Sequence, residues 1–342
     1  MPSNFATGIV DQWNSPKPKL NKHKNNMDRE YKHLTKEQVE NFMKYGFLRL
    51  ENCFSVEKAQ DWTATVWQRL GMDPNDKSTW TTERINMPKH RIESVETFAP
   101  KAWSAICELL GGEERIAKGS ADWGDGLIVN LGTPEWEGKF PHPKELDGWH
   151  VDGDFFVHYL DSKEQGLLVI PLFSDIQDNG GGTMICPDAI PHIANHLYTH
   201  PDGVSPRMVP RGEQPKHNNL GWYSEVVNQC NDFREMTGSI GDVVLMHPLM
   251  VHSASRNSLR IPRIITNPPV ALKEHFNFNR ENPKDYSLVE LKTLRSLGKD
   301  NLEGWKATGP REAVIPERVK NQERMKKLEL ERLKQNSQAV GV

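Results

Sequence analysis

The strongest constraint on the fold of this 342-residue chain is a set of short β-prone runs in its middle, most of them opened by glycine. They are Gly126-Leu-Ile-Val-Asn-Leu131, Gly166-Leu-Leu-Val-Ile-Pro-Leu-Phe173, Gly182-Thr-Met-Ile-Cys186, Gly241-Asp-Val-Val-Leu-Met246 and Arg263-Ile-Ile-Thr266. Gly, Pro, Asn or Asp bound each run, so each can be one strand between turns. Many short strands with glycine turns predict a sandwich or barrel. The flanks read as helix. Thr35-Lys-Glu-Gln38 fits a capping box, with Val39, Phe42 and Met43 following at helical spacing. Gly46 stops that helix, and Phe47-Leu-Arg-Leu50 alternates like a strand. Ser55 opens a second helix with Trp62, Val66 and Leu70, residues 71–100 read as Pro-rich and irregular, and 102–111 form a short helix. Beyond Leu272, Ser287-Leu-Val-Glu290 is another capping box, and about 316–335 is a charged helix with few apolar positions, solvated or docking.

The expected organisation is therefore mainly β with flanking helices. Residues 1–30 form an N-terminal tail or arm, 31–120 a helical N-terminal layer, 121–272 the β core and 273–342 a C-terminal helical cap. The charge balance, 43 Lys plus Arg against 46 Asp plus Glu, leaves no basic footprint, so no nucleic-acid partner is expected. No apolar run approaches the ~20 residues of a membrane span. The first residues lack the apolar stretch of a secretory signal. Cys53, Cys107, Cys186 and Cys230 form no CxxC pair and read as reduced thiols of a cytoplasmic protein.

Chemistry enters at Gly148-Trp-His-Val-Asp-Gly-Asp-Phe-Phe156. His150 and Asp152 stand two apart, so on a strand their side chains share a face and can reach one point. Two histidines and a carboxylate on one face of an octahedron form the facial triad of non-haem Fe(II) oxygenases. Further on, the Gly241-led run is followed by His252 and, eleven positions later, by Arg263. A histidine on one strand and an arginine on the next can meet in one cavity. The planar guanidinium suits a carboxylate, and 2-oxoglutarate chelates iron at one end and carries a carboxylate at the other.

Four segments together resemble the phytanoyl-CoA dioxygenase family of Fe(II)/2-oxoglutarate oxygenases: Leu34–Leu48, Trp149-His150-Val-Asp152, Asp178-Asn-Gly-Gly181 followed by Cys186-Pro187, and His252-Ser253 with Asn257-Ser258 and Arg263. The resemblance spans about 34–266. It implies a double-stranded β-helix (jelly-roll, cupin-like) core with iron held by His150, Asp152 and His252, and with Arg263 on the distal carboxylate of 2-oxoglutarate. It implies O2 as co-substrate, ascorbate as an accessory reductant, and decarboxylation of 2-oxoglutarate to succinate. The coupled outcome is hydroxylation, desaturation or ring formation at an unactivated C–H of a small organic substrate of fatty acyl, amino-acid or natural-product type. Family halogenases lack the carboxylate that Asp152 supplies. Two segments depart from the pattern: Pro187-Asp-Ala-Ile replaces the usual PGSH, and 132–147 is long.

Several neighbours compete for these roles. His247 is the rival distal histidine and Arg260 the rival anchor; the family spacing favours His252 and Arg263. Thr183, after three glycines, either bonds 2-oxoglutarate or simply packs in its strand, and Asn130 either faces the cofactor or ends its strand inertly. Asn257 reads as a turn brace and Asp154 as a local brace. Of Phe155, Phe156, His158 and Tyr159, at least two belong to the core. Residues 71–100 are a candidate lid, and the terminal helices are a candidate homodimer surface. The rival functions are a 2-oxoglutarate-independent metal cupin and a non-catalytic binding barrel.

Overall fold

A computed structural model describes residues 30–218 and 220–339. Apart from Glu30, the expected tail lies outside these residues. Helix α1 (Lys36–Tyr45) begins where Thr35 accepts from the Gln38 N–H and the Gln38 side chain accepts from the Thr35 N–H, and it ends at Gly46 with φ of 77°. A Cβ at Gly46 would stand 2.4 Å from Ile190, so the turn into strand β1 (Phe47–Leu50) needs glycine twice over, for conformation and for space. The chain continues through α2 (Val56–Thr63), α3 (Val66–Leu70), β2 (Arg84–Asn86), β3 (Ile92–Ser94), α4 (Val95–Phe98), α5 (Pro100–Leu110), β4 (Asp122–Gly124), β5 (Ile128–Asn130), β6 (Leu168–Pro171) and β7 (Thr183–Cys186). It closes with α6 (Ile190–Thr199), α7 (Gly221–Asn228), β8 (Arg234–Met236), β9 (Val243–Met246), β10 (Val251–Ala254), β11 (Arg263–Ile265), α8 (Leu288–Ser296) and α9 (Glu317–Ala339).

All strand pairs are antiparallel. One sheet runs β1-β9-β6, a second β10-β7-β8, a third β11-β5-β2, and β3 pairs with β4. Single bridges extend these ladders. Leu172 beyond β6 pairs with Ile265 of β11, which joins the first sheet to the third. His150 pairs with His252 of β10, which adds the HxD segment to the edge of the second. A cavity of about 1080 Å³ is lined from both sides, by Ile170, Met246 and Ile265 of the joined sheet and by Thr183, His252 and Ala254 of the other.

Every β-prone run of the middle region contains a strand. Three readings change. The stretch 71–100 is not irregular: it holds β2, β3 and α4. Only Ile85 of β2 is buried, and a three-residue strand is too short to show alternation; the β5 ladder makes it a strand. Strands β1 and β2, from the expected helical layer, are thus part of the core sheets. Conversely, α6 and α7 interrupt the expected β region; α6 carries Pro191 in its first turn, where the lost N–H would be unbonded anyway.

The core is one continuous apolar cluster. Trp62 lies 4.4 Å from Phe98 and 5.5 Å from Phe173, ring centre to ring centre, which ties α2 and α4 to the chain leaving β6. Helix α1 buries Val39, Phe42 and Met43 and packs on α8, whose own capping box at Ser287 is formed as expected. Among the described residues no helix is long and apolar enough to cross a membrane. All four cysteines are free thiols.

Candidate metal centre

The HxD segment is short and irregular, and its position depends on one backbone bridge. His150 N–H donates to the His252 carbonyl at 3.0 Å, and His252 N–H donates to the His150 carbonyl at 2.9 Å. The two imidazoles are thereby placed 4.4 Å apart, centre to centre. Each ring is oriented from behind. The Nδ1 of His150 lies 2.7 Å from the Gly148 carbonyl, and that of His252 lies 3.0 Å from the Met250 carbonyl. A carbonyl can only accept, so each Nδ1 carries a proton and each Nε2 is the ring atom turned to the cavity, a donor to Asp152 while protonated and a metal ligand once that proton is lost.

Both Nε2 atoms face one oxygen. Asp152 Oδ1 is 3.4 Å from His150 Nε2 and 3.5 Å from His252 Nε2, and the three ligand atoms all lie within 4.8 Å of one another. Ligand atoms held in cis on one ion at ~2.0–2.2 Å stand about 3 Å apart, so a divalent ion needs only a small adjustment of this set. Withdrawal from bulk water opposes the charge on Asp152, but His252 and His150 outweigh it and hold the carboxyl well below the usual carboxylate range. The acceptor set is thus ionised Asp152 with two aligned imidazoles, and the three residues line the cavity. Two nitrogens and one oxygen on one side fit Fe(II), with the other side left for exogenous ligands.

Arg263 enters the same cavity from β11. It is 2% exposed, donates through Nε to the Gly181 carbonyl at 2.7 Å and through Nη1 to the Ile128 carbonyl at 3.3 Å, and forms no ion pair among the described residues. Burial and the nearby Arg84 cation push its guanidinium down to about 10. Glu235 offsets this only in part and does not pair with it directly, so a buried cation bound to carbonyls is under-compensated, and a carboxylate arriving from the cavity would pair with it. Thr183 also lines the cavity, and its hydroxyl makes no hydrogen bond among the described residues.

Asn130 does not meet its expected role. Its amide donates to the Gly181 and Ser255 carbonyls, at 3.3 and 3.1 Å, and its oxygen accepts from Gly132 N–H. It braces the glycine loop from behind instead of facing the cavity. Gly181, with φ of 79°, fits against it only because it has no Cβ; one would stand 2.6 Å from the Asn130 amide. Asn257 donates to the Asn130 carbonyl at 2.8 Å and to the Ile261 carbonyl at 2.6 Å, a brace as expected.

The rivals point elsewhere. His247 is fully buried, with Nε2 2.9 Å from the Thr293 hydroxyl of α8, and burial pushes it down to about 3. Arg260 lies over Trp80 and 3.6 Å from Glu137. Phe155 lines the cavity, whereas Phe156 and Tyr159 are core, and burial pushes His158 down to about 4. Asp154 makes a two-pronged ion pair with Arg318 of α9, at 2.6 and 2.8 Å. Sequence reasoning missed that α9 reaches the cavity at all: its Arg318, Gln322, Glu323 and Lys326 are lining residues. Arg318, Gln322 and Lys326 stand four apart, with Val319 and Glu323 beside them, so they form a helical face, but a face with one apolar residue carries little signal to mark it. From the expected lid segment, Arg84, Met87 and Lys89 line the cavity.

No protein-family model matches this chain, and no curated protein matches it. Solved structures similar to it include HygX from Streptomyces hygroscopicus with nickel, 2-oxoglutarate and hygromycin B bound, 13% identical over 70% of this chain and 88% of that one, with a TM-score of 0.39. EctD from S. alaskensis is 16% identical over 68% and 75% of the two chains, with a TM-score of 0.36. A hypothetical protein from Escherichia coli, JW0805, is 13% identical over 78% and 82%, with a TM-score of 0.41.

Proposed function

We propose that this chain is a non-haem Fe(II)/2-oxoglutarate-dependent oxygenase of the phytanoyl-CoA dioxygenase type, built on a double-stranded β-helix and acting on a small organic substrate. One observation carries the reading: three metal-ligand atoms converge in a cavity that also holds a buried arginine with no direct ion-pair partner among the described residues. His150, Asp152 and His252 would hold the iron. Arg263 would pair with the distal carboxylate of 2-oxoglutarate, and the Thr183 hydroxyl, which lines the same cavity, would donate to the cofactor. When bound, iron, 2-oxoglutarate and O2 supply the oxidising power that converts 2-oxoglutarate to succinate and CO2 and breaks a substrate C–H bond.

The rest is the work of this chain. The carbonyls of Gly148 and Met250 keep both imidazoles in the tautomer that donates from Nε2. The apolar residues Leu168, Ile170, Met246 and Ile265 line the cavity between the two sheets and exclude water from it. Asn130, Asn257 and the Gly181 turn fix the carbonyl on which Arg263 rests.

The test is anaerobic addition of Fe(II) and then 2-oxoglutarate, read by the weak visible metal-to-ligand charge-transfer band. Wild type is expected to show the band. Arg263→Ala is expected to show it only at raised 2-oxoglutarate, and His252→Ala not at all. Iron binding without a band would replace this reading with a 2-oxoglutarate-independent metal enzyme. No iron binding would leave a non-catalytic barrel.

A further inference from the structure

Helix α9 is charged along its whole length and mostly exposed, yet one face of it is docked on the body of the protein. Its less exposed positions are Gln322, Met325, Glu329, Arg332 and Leu333, which follow helical spacing and are polar at three of five places. The C-terminal half is the anchor. Glu329 is 2% exposed; its Oε2 accepts from Arg69 Nε at 2.9 Å and lies 2.8 Å from His90 Nε2. Arg69, 1% exposed, also binds Asp125 at 3.0 Å, and Asp125 accepts from the backbone N–H groups of His90 and Arg91. Arg332 donates to the Arg69 carbonyl at 2.6 Å, near the end of α3, and lies against Gly71, where a Cβ would stand 3.0 Å away. The N-terminal half is different. Arg318 pairs with Asp154, Lys326 donates to the Lys89 carbonyl at 2.9 Å, and Gln322 makes no hydrogen bond among the described residues. This half lines the cavity that holds the metal ligands.

We propose that the N-terminal half of α9 is the wall against which the substrate is selected, with Gln322 as a specificity-determining residue, and that the Arg69–Glu329 pair is the positioning device that holds the wall in place. The inference rests on the metal-site reading above and goes beyond it. The wall is polar apart from Val319, whereas the apolar lining comes from the strands, at Leu168, Ile170, Met246 and Ile265. The substrate group that meets α9 therefore forms hydrogen bonds, and the part that meets the strands is hydrocarbon. The Asp154–Arg318 pair brings this wall up against the segment that carries His150 and Asp152.

The experiment uses the full-length protein and the variants Glu329→Lys, which sets a second cation against Arg69, and Gln322→Trp, which keeps the anchor and fills the cavity. Iron is loaded with 2-oxoglutarate without air and then stripped by sulfonated bathophenanthroline, a bulky chelator that must enter by the cavity mouth. Glu329→Lys is expected to lose iron about tenfold faster than wild type, because the wall is released. Gln322→Trp is expected to lose it several-fold more slowly. The charge-transfer band should be the same in all three. Hydrogen exchange on the metal-free proteins should show residues 318–333 and 87–91 protected in wild type and Gln322→Trp and unprotected in Glu329→Lys. Equal stripping rates with an intact band overturn the wall and leave the function standing. Absence of the band in wild type overturns the function instead, and the exchange pattern then decides the wall alone: equal exchange in wild type and Glu329→Lys removes it.

Discussion

Helices α1 and α9 are both docked on the same body, and they are docked by opposite chemistry. Helix α1 buries Val39, Phe42 and Met43 against α8, with His247 filling the space between its C-terminus and Thr293. Helix α9 buries Glu329 against Arg69, which Asp125 holds from its other side, and against His90, and contributes little apolar area beyond the partly buried Met325 and Leu333. An apolar contact gains from every atom withdrawn from water and works in any direction. A buried ion cluster must first offset the desolvation of each charge, and it does so only when every partner is in place. The first kind of docking is therefore robust and the second is conditional. It is the conditional helix that reaches the cavity.

That contrast can be broken at its largest point by Phe42→Ala. The side chain is fully buried, and its removal is expected to cost about 3–5 kcal/mol, because the emptied space cannot collapse freely. Chemical denaturation should show this as a fall in global stability with no selective loss of α9. Arg69→Met should show the reverse. Two carboxylates lose their cation, a loss of about 3–5 kcal/mol if they stay buried, and α9 can escape that by lifting off. Hydrogen exchange should rise in 317–333 before it rises in the core; a uniform rise would mean that α9 is part of the global unit after all.

His247 sharpens the apolar side of the comparison. Burial first, and Lys292 second, hold it down to about 3, whereas the unfolded chain titrates near the ordinary value of about 6.5. The unfolded state therefore binds more protons between those values, and stability falls as pH drops through that window. From pH 7 to pH 5 the loss from this one group is about 2 kcal/mol. Denaturation of His247→Gln at the two pH values should show a smaller acid loss than wild type; an equal loss would assign the effect elsewhere, His158 being the other buried histidine held low.

The smallest effect is expected at Arg318→Ala. Both partners of this pair are about half exposed, so its removal should cost no more than about 1 kcal/mol and nothing measurable at high salt. A larger, salt-resistant loss of stability would mean that the wall half of α9 is anchored in its own right.

The same contrast explains what could be read from the residues alone. The capping boxes at Thr35 and Ser287, the stop at Gly46 and the five β-prone runs were legible because local chemistry and period agree there. His150, Asp152, His252 and Arg263 were legible as residue types at a characteristic spacing, and the structure brings all four into one cavity. Three things were hidden. β2 exists because β5 lies beside it, not because Arg84-Ile-Asn86 has a pattern. Asn130 sits in the right strand, beside Arg263 in register, yet its amide is turned to the backbone, and spacing says nothing about that direction. The docking of α9 depends on pairs such as Arg69 with Glu329, whose partners are far apart in the chain and whose signal is indistinguishable from ordinary surface charge.

The bridge between His150 and His252 has a consequence for assembly. Two metal ligands distant in sequence are already joined by a reciprocal pair of backbone hydrogen bonds. The chain between them is a closed loop before any ion arrives, and the entropy of bringing its ends together has been met by the protein itself. Capture of a metal ion by these residues would then be a late, local event on a finished scaffold, and the ion could leave and return without the protein having to refold each time.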